Sequence, residues 1–541
     1  MLSSRRRVTP TTPSQASGHA RTWLAGAIVL AALVRLPFWA LAWRAPVDAD
    51  TAIVGLMARH LGLSTTFWGQ PYGSPLESWL VAPAVALGAG GAAVRLLYFA
   101  LSLSLVPLAF ALGGRIHPRA ALPAALVIAC PPAYALLMAA MPPPLYPASL
   151  AMGGLLLLLA LELRRRLERG ERATVLAAAW GGLGGLALWT HLMSVSVVLA
   201  GLLCLAPVLV RRPAAIAALG LSLFGSSAAI WLPAIGEGQI FTIVRLSTPR
   251  VSWSEHLFGL LGRLHYPLGG LLGAGVPLVA DLEQRVDAPS WVALPLGLSW
   301  IALAAVGAWH ARVSAAGRLA IWAIVLTILS FLIPVRSDVH TIRFLTPLYL
   351  PLAALAGAAV ASCGRIGWAP LGAALVLQAA SAAPLLRAWS GADRARAPYF
   401  TPDLEPARLF LEENGIAHAF ASYEPAYRLT FESREAIVVS QPWNERFPRY
   451  SLPYLEGVRA AKRVAWVLTP GIPSELPSPD AFEAELERSG GRFRRATAGA
   501  AVVFFDFEPP DGDSAVASTA VSWINGHPEL RPGRRRPLPP L

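Results

Sequence analysis

Long apolar runs alternate with short polar loops over most of the chain. A helix needs about 20 apolar residues to cross a bilayer. Runs of roughly that length fall at residues 23–43, 94–112, 120–139, 147–163, 173–188, 195–210, 214–233, 291–309, 319–334, 346–361 and 368–386. The pattern predicts about eleven membrane-spanning helices. Past residue 387 the period changes. Thr401-Pro402, a cap residue with proline at the first helical position, opens a helix that ends near Asn414-Gly415. Strand-like stretches at 417–423, 436–440, 463–469 and 500–507 are interleaved with helical patterns at 454–461 and 480–489. That order predicts a small α/β domain. The fold class is mainly α: a polytopic helical membrane protein with a C-terminal α/β soluble domain.

Four domain segments follow. Residues 1–22 form an N-terminal tail and 23–386 the membrane domain, with long loops at 44–91 and 234–290. Residues 387–508 form the soluble domain, and 509–541, rich in Pro, Gly and Arg, reads as a disordered tail. The tail at the start carries Arg5, Arg6 and Arg7 ahead of a run long enough to span, so the first span reads as an uncleaved signal anchor. Within the long loops, the half-apolar stretches 51–63, 76–87 and 256–272 are too short or too mixed to span and read as amphipathic interfacial helices.

Composition supports this division. Of 541 residues, 55% are hydrophobic and only 14% charged, against about 25% charged in ordinary soluble domains. The net charge of +13 is spread through separate short loops, which speaks against nucleic acid as a partner. Arg115 and Arg119, then Arg164 to Arg172, Arg211 and Arg212, Arg312 and Arg318, and finally Arg365 all fall on one side in an alternating count. The positive-inside rule makes that side cytoplasmic, with the N-terminus inside and the soluble domain outside. Cys130, Cys204 and Cys363 imply no disulfide framework. No HExxH, paired CxxC or Walker A motif occurs, which argues against a zinc protease and an ATP-driven pump.

The first outside loop concentrates the chemistry. It contains Asp48 and Asp50, His60, then Trp68, Gln70, Tyr72 and Glu77. A carboxylate here could act as general base toward an acceptor hydroxyl or amine, or Asp48 and Asp50 could help hold a divalent cation. Aromatic residues suit stacking on a sugar ring. The bland alternative is that Asp50 caps a helix starting at Thr51 and that Trp68 and Tyr72 are interfacial anchors. His191 and His340 stand near span ends, and Asp338 could orient His340. Arg343, Arg245, Arg250 and Arg263 are cations on the outer side, and Arg35 lies inside the first span, where snorkelling or a bundle partner is the ordinary explanation.

Taken in order, several stretches resemble bacterial membrane glycosyltransferases of the GT-C superfamily, in the group of protein O-mannosyltransferases and lipid A aminoarabinose transferases. They are Asp48-Ala49-Asp50 with Gly55 to His60, Trp68 to Ser74 with Glu77, Gly181 to His191, Arg343 to Tyr349, and Tyr423 to Phe431. In that family an acidic motif in the first outside loop, often Asp-Glu, carries the catalytic carboxylate. Asp50 matches the Asp, while Thr51 replaces the Glu. The resemblance implies a bacterial inner-membrane enzyme that moves a sugar from a polyprenyl-phosphate-linked donor to a glycan, lipid or protein acceptor at the periplasmic face, with inversion. It implies Asp50 as base with Asp48 as helper or metal ligand, Arg343 as phosphate ligand, and His60, Gln70, Tyr72, Glu77 and His191 around the substrates. Two other readings stay open: a transporter or flippase for a lipid-linked glycan, and a non-catalytic assembly protein of the same fold.

Overall fold

The computed structural model of the protein describes residues 13–70, 72–236, 259–277, 285–332, 339–390 and 402–508, apart from 446, 448, 449, 471, 473, 475 and 489. The tail from Pro509, together with Arg245, Arg250 and Asp338, lies outside the described residues, as do the side chains of Arg263 and His340.

The membrane domain begins with α1 (Pro13–Arg44), and a loop carrying α2 (Ala49–Arg59) and α3 (Leu76–Ala86) leads to α4 (Gly91–Ile116). Next come α5 (Ala121–Ala129), α6 (Ala133–Ala140), α7 (Tyr146–Glu168), α8 (Thr174–Thr190), α9 (Val195–Leu209), α10 (Pro213–Ser226) and α11 (Ala228–Gly236). A second loop carries α12 (Leu260–Leu271) and a two-stranded ladder, β1 (Gly275–Pro277) with β2 (Arg285–Asp287). It is followed by α13 (Ser290–Ala311), α14 (Ala315–Leu332), a 3-10 stretch (Val339–Leu348), α15 (Tyr349–Cys363) and α16 (Trp368–Ser390).

Among the described residues, eight helices are long and apolar enough to cross a membrane, or nine if one bent pair counts as a span. The other two expected spans correspond to shorter apolar helices, α8 and α10. The expected span at 120–139 is not straight. It bends by 70° between α5 and α6, where Pro131 and Pro132 interrupt the helical ladder. Arg35 fills the break. Its guanidinium donates to the carbonyls of Ile128 (2.8 Å), Ala129 (3.0 Å) and Ala31 (3.1 Å), so it serves as a bundle partner for carbonyls that the broken helix leaves over. The glycines of α8 let two helices touch backbone to backbone: a Cβ at Gly181 would lie 2.2 Å from the Leu219 carbonyl, and one at Gly185 2.4 Å from that of Leu223. At the arginine-rich end, Arg115 reaches Glu162 across α4 and α7, and Arg164 donates to the Cys204 carbonyl of α9.

The C-terminal domain contains α17 (Glu405–Glu413), β3 (His418–Ala421), α18 (Tyr423–Glu432), β4 (Val438–Ser440), α19 (Leu455–Ala460), β5 (Ala465–Leu468), α20 (Pro479–Arg488), β6 (Arg492–Ala498) and β7 (Ala501–Glu508). The sheet order is β4-β3-β5-β7-β6, with β4, β3 and β5 parallel and the last two strands antiparallel. The first helix starts at Glu405 rather than at Thr401-Pro402, and its Pro406 takes the early-helix position. Two elements escape the sequence pattern. The edge strand β6 is too rich in arginine to read as a strand, and α18 follows β3 so closely that its Tyr423 reads as the strand's end.

Of the loop helices, α2 is not interfacial. Ala52, Ile53, Val54, Leu56 and Met57 of α2 are all buried, because α2 packs against α3 and α4 on one side and against α18 on the other. A Cβ at Gly55 would sit 2.3 Å from the Phe431 ring, so the glycine lets α18 nest on α2. Trp68 is also buried, edge-on to Tyr454 at 5.8 Å, rather than anchored in a lipid interface.

Candidate active site

The start of α2 sorts the two aspartates. Asp48, with extended backbone, is the N-cap: one carboxylate oxygen accepts from the Thr51 amide (2.7 Å) and the other from the Thr51 hydroxyl (2.8 Å). The capping role considered for Asp50 therefore belongs to Asp48, and Thr51 is its second partner. Asp50 lies in the first helical turn, where its carboxylate faces a recess and accepts a hydrogen bond from the Tyr423 hydroxyl.

The recess is lined by Asp50, Gln70, Tyr72, Tyr146, His191 and Arg343, with Phe67 and Pro143 to Leu145 completing the wall. Five side chains singled out in the sequence thus converge from three separate segments. The first loop supplies Asp50, Gln70 and Tyr72, the turn between α8 and α9 supplies His191, and the 3-10 stretch before α15 supplies Arg343. His191 accepts the Met193 amide on Nδ1 (3.1 Å), which orients its ring. That ring packs 4.5 Å from Tyr146 and edge-on to Tyr72 at 6.2 Å. Burial, and then the Arg343 charge, push His191 down to about 3, so it is a neutral imidazole at any working pH. The Arg343 guanidinium stands 5.8 Å from the Tyr146 ring and 5.5 Å from that of Phe344. The result is an aromatic cleft with a carboxylate and a guanidinium in its lining, suited to a sugar ring bearing a phosphate.

Two predicted residues lie elsewhere. His60 bonds Glu435 of the soluble domain at 2.6 Å, on the seam between domains. Glu77 sits behind the recess wall, almost fully buried (1% exposed). It accepts from the amides of Leu145 (2.7 Å) and Ala148 (3.3 Å) and from the Tyr98 hydroxyl (3.3 Å). It therefore holds the first turn of α7, where Leu145 takes the left-handed conformation (φ 77°). Burial pushes Glu77 up to about 7. Tyr146 and Phe67 were not singled out from the sequence. The run Pro142-Pro143-Pro144 just before Leu145-Tyr146-Pro147 was the available signal, since such a run inside an apolar stretch marks irregular backbone, which membranes tolerate mainly at sites.

Both Asp48 oxygens are taken by Thr51, and among the described residues no three His, Cys, Asp or Glu side chains are grouped to hold an ion. A third carboxylate does approach from the soluble domain: Glu424 accepts from the Ala49 amide (3.2 Å). Burial and the nearby Asp48 push Glu424 up to about 8, while burial and then Asp50 raise Asp48. Asp48 and Glu424 thus hold their protons more tightly than isolated carboxylates would.

No protein-family model and no curated protein sequence matches the chain. Solved structures do. ArnT from Cupriavidus metallidurans in the apo state is 14% identical, with a TM-score of 0.57 over 91% of this chain and 98% of that one. The same protein bound to undecaprenyl phosphate gives 15%, 0.58 and the same coverage. Likeness at that identity speaks for the fold alone, and the fold agrees with the expectation from the sequence: the chain is a multi-pass helical membrane protein with a C-terminal α/β domain, in the fold seen in ArnT.

Proposed function

We propose that the protein transfers a sugar from a polyprenyl-phosphate-linked donor to an acceptor at the extracytoplasmic face of the membrane. The observation that carries this reading is the convergence of Asp50, His191 and Arg343 on one aromatic recess, in a fold shared with a protein solved bound to undecaprenyl phosphate. In this reading, by the positive-inside rule, the Arg115 end is cytoplasmic and the recess lies outside.

In this mechanism Arg343 holds the donor phosphate and stabilises the charge that grows on it as the sugar–oxygen bond breaks. Tyr72 and Tyr146 hold the sugar ring, and Gln70 and neutral His191 supply hydrogen bonds. Asp50 takes the proton of the acceptor hydroxyl or amine as that atom bonds to the anomeric carbon. Attack from the face opposite the phosphate inverts the centre and releases polyprenyl phosphate.

Binding of polyprenyl phosphate, the moiety common to every such donor, tests the site without knowledge of the sugar. Arg343→Ala should weaken binding about tenfold or more, the loss expected for a charge-assisted contact, while Asp50→Asn should bind as wild type. Equal binding by wild type and Arg343→Ala would remove Arg343 from the site and, with it, this reading of the recess.

A further inference from the structure

The soluble domain makes atomic contact with the acidic motif. Its helix α18 lies on α2, and the first residues of α18 point at the first turn of α2. The Tyr423 hydroxyl donates to Asp50 Oδ1, and the next residue, Glu424, takes the Ala49 amide. The ring of Tyr423 is set edge-on against Tyr427 at 5.4 Å, and Tyr427 is itself buried against the loop. The seam around this contact is extensive. Asn444 donates to the Gly69 carbonyl (2.9 Å), Phe447 stands edge-on to Tyr72 at 5.9 Å, and Glu435 takes both His60 and the Tyr454 hydroxyl (3.0 Å). Tyr423 therefore arrives at Asp50 on a buttressed helix.

We infer that Tyr423 is a positioning residue for Asp50, so that the active site is completed only when the C-terminal domain is docked. The inference rests on the reading of Asp50 as the base. A carboxylate on the first turn of a helix has two free torsions. A phenol fixed from the opposite domain holds one oxygen of the carboxylate and so fixes its orientation at the edge of the recess, where an acceptor hydroxyl or amine would enter. The charged groups around this contact are Asp48 on α2, Glu424 and Arg428 on α18, and Arg343 in the same recess as Asp50. Tyr423 neither touches the transferred sugar nor carries its proton in this scheme; it acts through Asp50.

The test uses the full-length protein in lipid, on whichever polyprenyl-phosphate sugar of a panel the wild type turns over. Tyr423→Phe should lower kcat about tenfold or more, the cost of one hydrogen bond to a charged group, with KM for the donor unchanged. Glu435→Gln, which loosens the seam without touching Asp50, should leave kcat within about twofold. Placing 3,5-difluorotyrosine at position 423 keeps the shape while bringing the phenol's ionisation toward neutrality. Turnover should then fall as pH rises and the hydrogen bond to Asp50 is lost, by at least several-fold more than any fall in the wild type over that range. This arm stands even where Tyr423→Phe disturbs docking. Wild-type kcat in Tyr423→Phe, or a difluorotyrosine profile like that of tyrosine, overturns the inference while leaving Asp50 as base. An Asp50→Asn variant with full activity, or a wild type that turns over no donor, overturns the underlying reading and this inference with it.

Discussion

Glu77 offers a quantitative test of how the recess wall is held. Its carboxylate is buried and receives the Leu145 and Ala148 amides and the Tyr98 hydroxyl. Glu77→Ala would leave three buried donors without an acceptor. At about 1–3 kcal/mol for each unsatisfied group, with some rescue by water in the vacated space, the loss is about 3–6 kcal/mol. Glu77→Gln keeps an acceptor oxygen and resembles the protonated acid, so its cost is small at low pH. The pH dependence has a definite sign. The folded protein holds the Glu77 proton up to about 7, against 4.5 for the ordinary side chain. The folded state thus binds more protons than the unfolded one between those values, and the group's contribution is full below pH 4.5 and declines as pH rises to 7. A shift of that size corresponds to about 3 kcal/mol. Asp48 and Glu424 titrate with the same sign, so the quantity to follow is wild type minus Glu77→Gln, measured by chemical unfolding in detergent from pH 4.5 to 8. That difference should fall by about 3 kcal/mol up to pH 7 and then level off. A flat difference, or a Glu77→Ala protein within about 0.5 kcal/mol of wild type, would refute the assignment of Glu77 as the holder of the α7 turn.

Two further expectations follow from packing. Gly55→Leu forces side-chain atoms into the Phe431 ring and should loosen the soluble domain by about 1–3 kcal/mol, seen as faster proteolytic release of that domain from membranes; an unchanged cleavage rate would mean α18 does not rest on α2. Arg35→Met removes two donations to the break between α5 and α6 and one to Ala31 of its own helix and should cost about 3 kcal/mol or more of stability. A thermal midpoint equal to wild type would show that the broken span holds its bend without the guanidinium.

The membrane architecture was largely legible because lipid imposes a simple demand, a long apolar run for each crossing. The sequence pattern missed features set by neighbours rather than by local period. The run at 120–139 counts as one span by hydropathy, yet Pro131-Pro132 bends it and an arginine from another helix repairs the bend. The stretch 51–63 has the composition of an interfacial helix, but a soluble domain more than 300 residues away covers it, which no local window can register. Helix α18 carried its own start signal, since Ser422 precedes Tyr423-Glu424-Pro425, and the adjoining strand masked it. At the site, residue type pointed to Asp50, Gln70, Tyr72, His191 and Arg343 as candidates because polar and aromatic groups at span ends are few. The division between Asp48 and Asp50 depended on which of them begins the helix, a one-residue question that composition leaves open. Glu77 was noticed for its charge, but its placement behind the wall depends on the turn at Leu145, a segment far from it in sequence.

The central claim is sugar transfer from a lipid-linked donor, and turnover by protein reconstituted in lipid tests it most directly. Wild type and Asp50→Asn would be given a panel of polyprenyl-phosphate sugars together with a mixture of envelope glycan, lipid and protein acceptors, and release of polyprenyl phosphate would be followed. The account predicts release by the wild type on at least one donor, matched by sugar appearing on an acceptor, and at least a hundredfold loss, on the order expected for removal of a general base, in an Asp50→Asn protein that still binds polyprenyl phosphate. Release that proceeds equally well without the Asp50 carboxylate, or movement of intact donor across the bilayer with no transfer, would contradict it.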